Sequence, residues 1–203
     1  MRSMLFIAGF AVLGAPLIAQ ESTRPADWKI RFDRPAEESA IEFVTMPPGW
    51  HVTTGPAAVL YLPANVARGT YRARAVIHLF PGERREGFGL FIGGRHLEDD
   101  GQTYTYFLLR KDGRFLIKRR AGSETPVLVP WTGHDAIVPH EGGKETVKNV
   151  LEIAVGPETV GFLVNGQEVA SLPRDQVDTE GVVGLRVNHA LNLHISELVI
   201  EQR

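Results

Sequence analysis

The stretch GGRHLEDDGQTYTYF, residues 93–107, gathers His96, Glu98, Asp99, Asp100, Tyr104 and Tyr106 into fifteen positions. Side chains of these types could do one of three things. Two carboxyl groups about 5–5.5 Å apart serve a retaining glycosidase as nucleophile and acid/base, and Glu98 with Asp100 is the nearest pair. Glu98, Asp99 and Asp100 are also oxygen donors suited to Ca²⁺, although their spacing fits no EF-hand loop. His96 has no histidine partner at helical spacing, so zinc is not indicated. The third reading is a solvated turn in which Asp99, Asp100 and Gly101 join two paired strands, and it asks for nothing beyond the turn chemistry of Asp and Gly.

The elements that must position these residues are strands. GTYRARAVIHLF alternates Tyr71, Ala73, Ala75, Ile77 and Leu79 on one side with Arg72, Arg74 and His78 on the other, the period of a half-buried strand. Comparable runs occupy residues 87–92, 104–110, 115–119, 150–155, 160–164, 182–188 and 193–200. Lys111-Asp112-Gly113 and Asn165-Gly166 are hairpin turns, because glycine accepts the positive φ that such turns require. Beyond the first residues no stretch of helical period exceeds a turn or two. Many short strands with Gly and Pro punctuation predict an all-β chain folded as an antiparallel β-sandwich. Residues 20–48 are more polar and broken by proline, with strands expected at 28–32 and 41–45. They read as an N-terminal extension forming an edge of the sandwich, and residues 49–203 as the sandwich domain.

The outward sides of these strands hold the candidate ligand-binding residues. If Phe107 and Leu109 point inward, then Tyr104, Tyr106 and Arg110 point outward; Val183, Leu185 and Val187 inward leave Arg186 and Asn188 outward. Arg72, Arg74 and His78 follow the same rule, and Lys118 does so on its own strand. Were these strands neighbours, they would make one aromatic and cationic face. Such a face suits sugars, whose rings stack on aromatic side chains while arginine donates paired hydrogen bonds to carboxylates or hydroxyls. Solubility alone also places charged residues on the outside of a strand. Trp131 is read as a buried tryptophan closing the sandwich edge, with a stacking platform as the alternative. Gly87, Gly89 and Gly93 mark a close approach of backbone or ligand, or a packed bend. His189 and His194 flank a tight connection and read as solvated. Ser123, Ser171 and Ser196 sit in no G-x-S-x-G elbow, which argues against a serine hydrolase.

Composition narrows the setting. Arg2, the apolar run from Met4 to Leu13 and the small residues up to Ala19 have the layout of a secretory signal peptide over residues 1–19, too short to span a bilayer. The expected product is secreted or periplasmic, with no membrane span. With 22 basic and 24 acidic residues the net charge is −2, which lacks the basic surplus of a nucleic-acid binder. The absence of cysteine removes thiol nucleophiles, disulfides and thiolate metal sites, so stability must come from burial. No Asn-x-Ser/Thr acceptor is present either, in keeping with a bacterial envelope or extracellular protein.

The segments GFGLFIGG, YTYFLLRKDGRFLIKRR, LVPWT, NVLEIAVGPETVGFLVNGQEVASLP and EGVVGLRVNHALNLHISELVI, taken in order, resemble the laminin-G-like, concanavalin A-like sandwich. The resemblance spans roughly residues 49–200 and is strongest to bacterial modules of the 3-keto-disaccharide hydrolase domain family. It implies a concanavalin A-like jelly roll of two curved antiparallel sheets, with carbohydrate bound on the concave face or a rim. The superfamily includes lectins, glycan-binding modules and glycosidases, and calcium is common in it. Its family 16 glycosidases carry E-x-D-x-x-E on a strand. Here EDDGQT supplies Glu98 and Asp100 but ends in Thr103, on a glycine-punctuated connection. The expectation is therefore an exported glycan-binding or interaction module with carbohydrate as partner, no identified catalytic residue and no cofactor beyond the calcium possibility at Glu98, Asp99 and Asp100. A glycosidase-type hydrolase and a purely structural envelope protein are the alternatives.

Overall fold

Alternation in the 71–79 segment is realised residue by residue: Tyr71, Ala73, Ala75, Ile77 and Leu79 are buried, and the four side chains between them are half-exposed. The computed structural model describes residues 24–202, so the signal-peptide reading lies outside the described residues. Along them run the strands β1 (Lys29–Phe32), β2 (Ile41–Thr45), β3 (Trp50–Thr54), β4 (Ala58–Ala67), β5 (Tyr71–Leu79), β6 (Gly87–Arg95), β7 (Thr103–Arg110), β8 (Arg114–Ala121), β9 (Val127–Gly133), β10 (Val147–Val155), β11 (Thr159–Val164), β12 (Gln167–Pro173), β13 (Gly181–Val187) and β14 (Asn192–Gln202). They form two seven-stranded antiparallel sheets. The first has the order β1-β4-β13-β6-β7-β8-β9 and the second β12-β11-β10-β5-β14-β3-β2. This is the predicted β-sandwich jelly roll.

The inner faces meet in one core. Phe88, Leu90 and Ile92 of β6, Phe107 and Leu109 of β7, Phe115 and Ile117 of β8 and Val183, Leu185 and Val187 of β13 pack against β5, β10, β11 and β14. The Phe107 and Phe162 rings meet edge-on with centroids 5.4 Å apart, joining the two sheets. Ala73 and Ala75 leave room for such rings, and each fully buried Phe or Leu contributes roughly 1.5–3 kcal/mol. Both expected hairpins form: Gly113 (φ 75°) turns β7 into β8, and Asn165 and Gly166 (φ 51° and 83°) turn β11 into β12.

The leading segment adds one edge strand to each sheet, β1 beside β4 and β2 beside β3. Trp28 locks the two together, packing on Phe43 of β2 at 5.3 Å and Trp50 of β3 at 4.9 Å. The strands that periodicity does not single out have physical reasons to hide. β4 begins with four buried residues in a row because both of its faces are covered. It also carries Pro63 where the pairing with β13 slips out of register, a site that tolerates a missing donor. β9 holds Pro130 and is a sheet edge. No helix among the described residues is long and apolar enough to cross a membrane.

Candidate functional site

The outward-facing candidates divide between the two sheets, which corrects the expectation of a single face. Arg72, Arg74 and His78 belong to β5, at the centre of the second sheet, whereas Tyr104, Tyr106, Arg110, Lys118, Arg186 and Asn188 belong to the first. Period two tells inside from outside but carries no information on which sheet a strand joins. On the second sheet Arg72 is paired with Glu152 and Arg74 with Glu197. His78 lies in a cross-strand row with His194 and His51, with ring centroids 5.9 and 6.5 Å apart.

Five of the six residues of the first sheet, Tyr104, Tyr106, Lys118, Arg186 and Asn188 (which follows β13), line one cleft, and Arg110 stands beside it over Trp131. The β7–β8 register sets Arg120 opposite Tyr104 and Lys118 opposite Tyr106, while Phe91 of β6 flanks Tyr106 on the other side. These tyrosines point outward yet are buried, because Val59, Tyr61, Phe91, Leu97, Leu108 and Leu116 form a second apolar cluster around them. Above it opens a cleft of about 330 Å³ whose lining includes Tyr104, Tyr106, Lys118, Arg120, Trp131 and Arg186. Trp131 is half-exposed on this outer face, and the expectation that it closes the sandwich edge is corrected. It can lie here because β6 begins with glycine: a Cβ on Gly87 would stand 2.8 Å from Leu108 Cδ1 and 3.1 Å from the Trp131 ring.

The charged groups of this face fall into two kinds. Arg186 is committed: its guanidinium donates to both Asp33 carboxylate oxygens at 2.5 Å and through Nε to Asn188 Oδ1 at 3.1 Å, and it sits 5.8 Å above the Tyr106 ring. Burial alone would raise the Asp33 carboxyl, but the hydrogen bonds and charge of Arg186 reverse this and hold it below its usual 3.8. Arg110 is committed as well, with paired bonds to Asp112 at 2.8 and 2.6 Å and its guanidinium 4.6 Å over Trp131. Lys118 and Arg120 have no hydrogen-bond or ion-pair partner among the described residues, and Arg120 Nε is buried without an acceptor. The Tyr104 and Tyr106 hydroxyls likewise bond to no described residue. Burial raises both phenols, Tyr106 to about 12, so at neutral pH they are uncharged donors and acceptors.

The acidic loop lies at another edge. Glu98 is paired with Lys29 of β1, Asp100 stands 3.7 Å from Arg31, and Asp99 accepts a 2.7 Å bond from the Gly101 amide. The three carboxylates are thus directed at three different partners on a connection between paired strands, and no three ligating side chains among the described residues form a metal-binding group. On the second sheet Ser196 Oγ is 3.4 Å from His78 Nε2. The groups that act on His78 are burial, His194 and Lys148, with no carboxylate to orient it as a base.

Asp33, Arg120, Arg85 and Glu86 also line the cleft and are not among the expected residues. Arg120 was within reach of the alternation that marks Lys118, two positions before it. Asp33 lies just beyond β1 and carries no periodic signal; only the folded chain shows it opposite Arg186.

No protein-family profile and no curated protein matches the sequence. Solved structures do. A carbohydrate binding module, CBM66 from Bacillus subtilis, superposes with a TM-score of 0.65 at 11% identity over 87% of this chain and 96% of its own. A Bacteroides ovatus GH16 protein from a mixed-linkage glucan locus gives 0.59 at 7% identity over 89% and 97%. Sheep galectin-11 gives 0.50 at 11% identity over 77% and 99%. At these identities the likeness concerns the fold, and the chain has the concanavalin A-like, galectin-like jelly-roll fold.

Proposed function

We propose that this protein is an exported glycan-binding module and that its ligand lies in the cleft on the outer face of the first sheet. The observation that carries the reading is the pair of buried tyrosines with unused hydroxyls beside the half-exposed Trp131. A sugar ring stacks on an indole and bridges phenolic hydroxyls; the two hydroxyls have no partner among the described residues, and the indole carries only the Arg110 guanidinium and its packing on the apolar cluster. Similar jelly rolls include a carbohydrate binding module and a galectin, which supports a binding role. Kinship with modules of the 3-keto-disaccharide hydrolase domain family belongs to the same proposal and rests on the RKDGRF and VNGQ hairpin motifs.

Binding is favoured over hydrolysis by the state of the carboxylates. Asp33 in the cleft is held ionised by Arg186, which makes it a poor proton donor, and the reading calls for no cofactor. Thermal melting against a panel of oligosaccharides tests it. A ligand at a hundred times its Kd adds about 2.7 kcal/mol, a rise of several degrees. The expected result is stabilisation by one sugar class without release of new reducing ends. Release of reducing ends would replace the binding module with a glycosidase-type hydrolase, and no stabilisation by any sugar would remove the glycan reading.

A further inference from the structure

Resting on that placement of the ligand, we infer that the glycan bound here is acidic, and that Lys118 and Arg120 hold its carboxylate or sulfate group. Other arginines on this face already have an anion: Arg186 has Asp33, Arg110 has Asp112, and Arg114 stands 4.0 Å from Asp112. Lys118 and Arg120 break the pattern. Both line the cleft, both are half-buried, and neither side chain has a hydrogen bond or ion pair among the described residues, although the charge of Arg120 is felt by Asp33, which Arg186 already holds.

Half-burial weakens the hydration of a cation, so fold stability gives no reason to put two unpaired ones side by side. The buried Arg120 Nε has lost water and gained no acceptor. An anion in the cleft would supply one. Of the other charged groups in the lining, Arg85 is a third cation without a partner, Asp33 is neutralised by Arg186, and Glu86 is the remaining carboxylate. The excess is local, since the chain as a whole carries −2.

The geometry also says which sugar groups would be read. Arg120 and Lys118 stand opposite Tyr104 and Tyr106 across β7 and β8, and all four residues line the same cleft, with the Arg120 charge acting on both phenols. One acidic monosaccharide presents both requirements, a charged group for the cations and ring hydroxyls for the phenols. Arginine matches a planar carboxylate or a sulfate ester through two parallel bonds, and lysine adds a point charge.

The test is a set of matched pairs measured by titration calorimetry on the purified protein. Oligosaccharides of galacturonic, mannuronic, guluronic and glucuronic acid are each compared with their carboxyl-reduced neutral twins, and sulfated oligosaccharides with their desulfated twins. We expect at least one acidic member to bind tenfold or more tightly than its twin and to weaken as salt is raised. The arm in which this occurs separates carboxylate from sulfate. Lys118→Gln and Arg120→Gln should each reduce that affinity about tenfold, the effect of one charge-assisted bond, while the melting temperature stays within a degree or two. Equal binding of acidic and neutral twins would overturn the acidic ligand and leave the glycan-binding face in place. Acid binding untouched by both substitutions would overturn the site, and failure of every pair would overturn the glycan reading itself.

Discussion

Asp33, one residue past the end of an edge strand, meets Arg186 in the middle of the first sheet with both carboxylate oxygens 2.5 Å from the guanidinium. The Arg186 side chain is only 8% exposed, and it underlies the cleft in contact with Asn188 and the Tyr106 ring. The contact spans 153 residues of sequence, tying the chain's leading edge to one of its last strands. Removing Asp33 would leave a buried guanidinium without its anion. Loss of one partner of a buried pair costs about 3–5 kcal/mol, and since Asp33 is itself a third exposed we expect about 2–3 kcal/mol for Asp33→Ala in chemical denaturation. The sign of its pH dependence follows from the lowered carboxyl. The contribution is complete above the unfolded value near 3.8 and is lost as pH falls through the lower folded value. The stability gap between the wild type and Asp33→Asn should be constant at neutral pH and close only in strong acid.

Gly93 makes a second prediction because two constraints coincide there. Its φ is +67°, and a Cβ would stand 2.2 Å from the Asp178 carbonyl oxygen. That neighbour cannot retreat freely. Asp178 is held by Arg119 through paired bonds, and its amide donates to Thr105 Oγ1 at 3.0 Å. Gly93→Ala should cost about 2–4 kcal/mol, the sum of a left-handed alanine and a backbone collision. Arg119 is next to Arg120 on β8, so glycan affinity should fall together with stability. An unchanged melting curve would show that the 177–180 connection is more compliant than these bonds imply.

These two sites show what the sequence could and could not disclose. Burial alternates by the letter from Tyr71 to Leu79, and the Lys111-Asp112-Gly113 and Asn165-Gly166 turns lie where glycine chemistry puts them. Both are local properties, written in neighbouring residues. Sheet membership is not local. Arg72 and Arg186 have the same outward signature, yet one ends on β5 and the other on β13 in the opposite sheet. The same limit hid Asp33, whose role depends on a partner far along the chain. It also left open whether Trp131 is buried or a platform, because its strand β9 is a sheet edge whose burial follows no strict alternation. The acidic loop attracted attention through composition alone. Its carboxylates are directed to Lys29, Arg31 and their own turn.

The histidine row on the second sheet predicts an acid response of its own. Burial lowers the pKa of both His51 and His78 below the usual 6.5, with Glu42 opposing it and His194 adding to it at His51, and His194 and Lys148 adding to it at His78. A histidine that binds its proton less readily folded than unfolded favours folding above the unfolded value, and that contribution is lost as pH falls through 6.5 towards the folded value. Around the row stand Glu42 on β2, Lys148 on β10 and the third histidine, His194, between the two. Stability should decline between pH 7 and pH 5. In His78→Gln the slope should be shallower, with little change at pH 8. An identical slope in the variant would assign the decline to other groups.

Trp131 separates affinity from stability. Its indole lies half-exposed over Gly87 with the Arg110 guanidinium 4.6 Å from the ring, so it belongs to the surface of the fold more than to its core. Replacing it with alanine removes one cation–π contact and part of one apolar surface, about 1 kcal/mol of stability. Should the ring be the platform for a sugar, the same change removes a stacking interaction of comparable or larger size from the bound state, and affinity falls about tenfold or more. Trp131→Phe keeps a flat ring and should recover part of that loss, which a purely steric role would not require. The two variants, measured by calorimetry with the best ligand and by thermal melting without it, therefore distinguish a platform from a lid. A platform gives affinity in the order Trp, Phe, Ala with nearly constant melting temperatures. Affinity that simply follows the melting temperature would make Trp131 a packing residue and move the stacking surface elsewhere on the face.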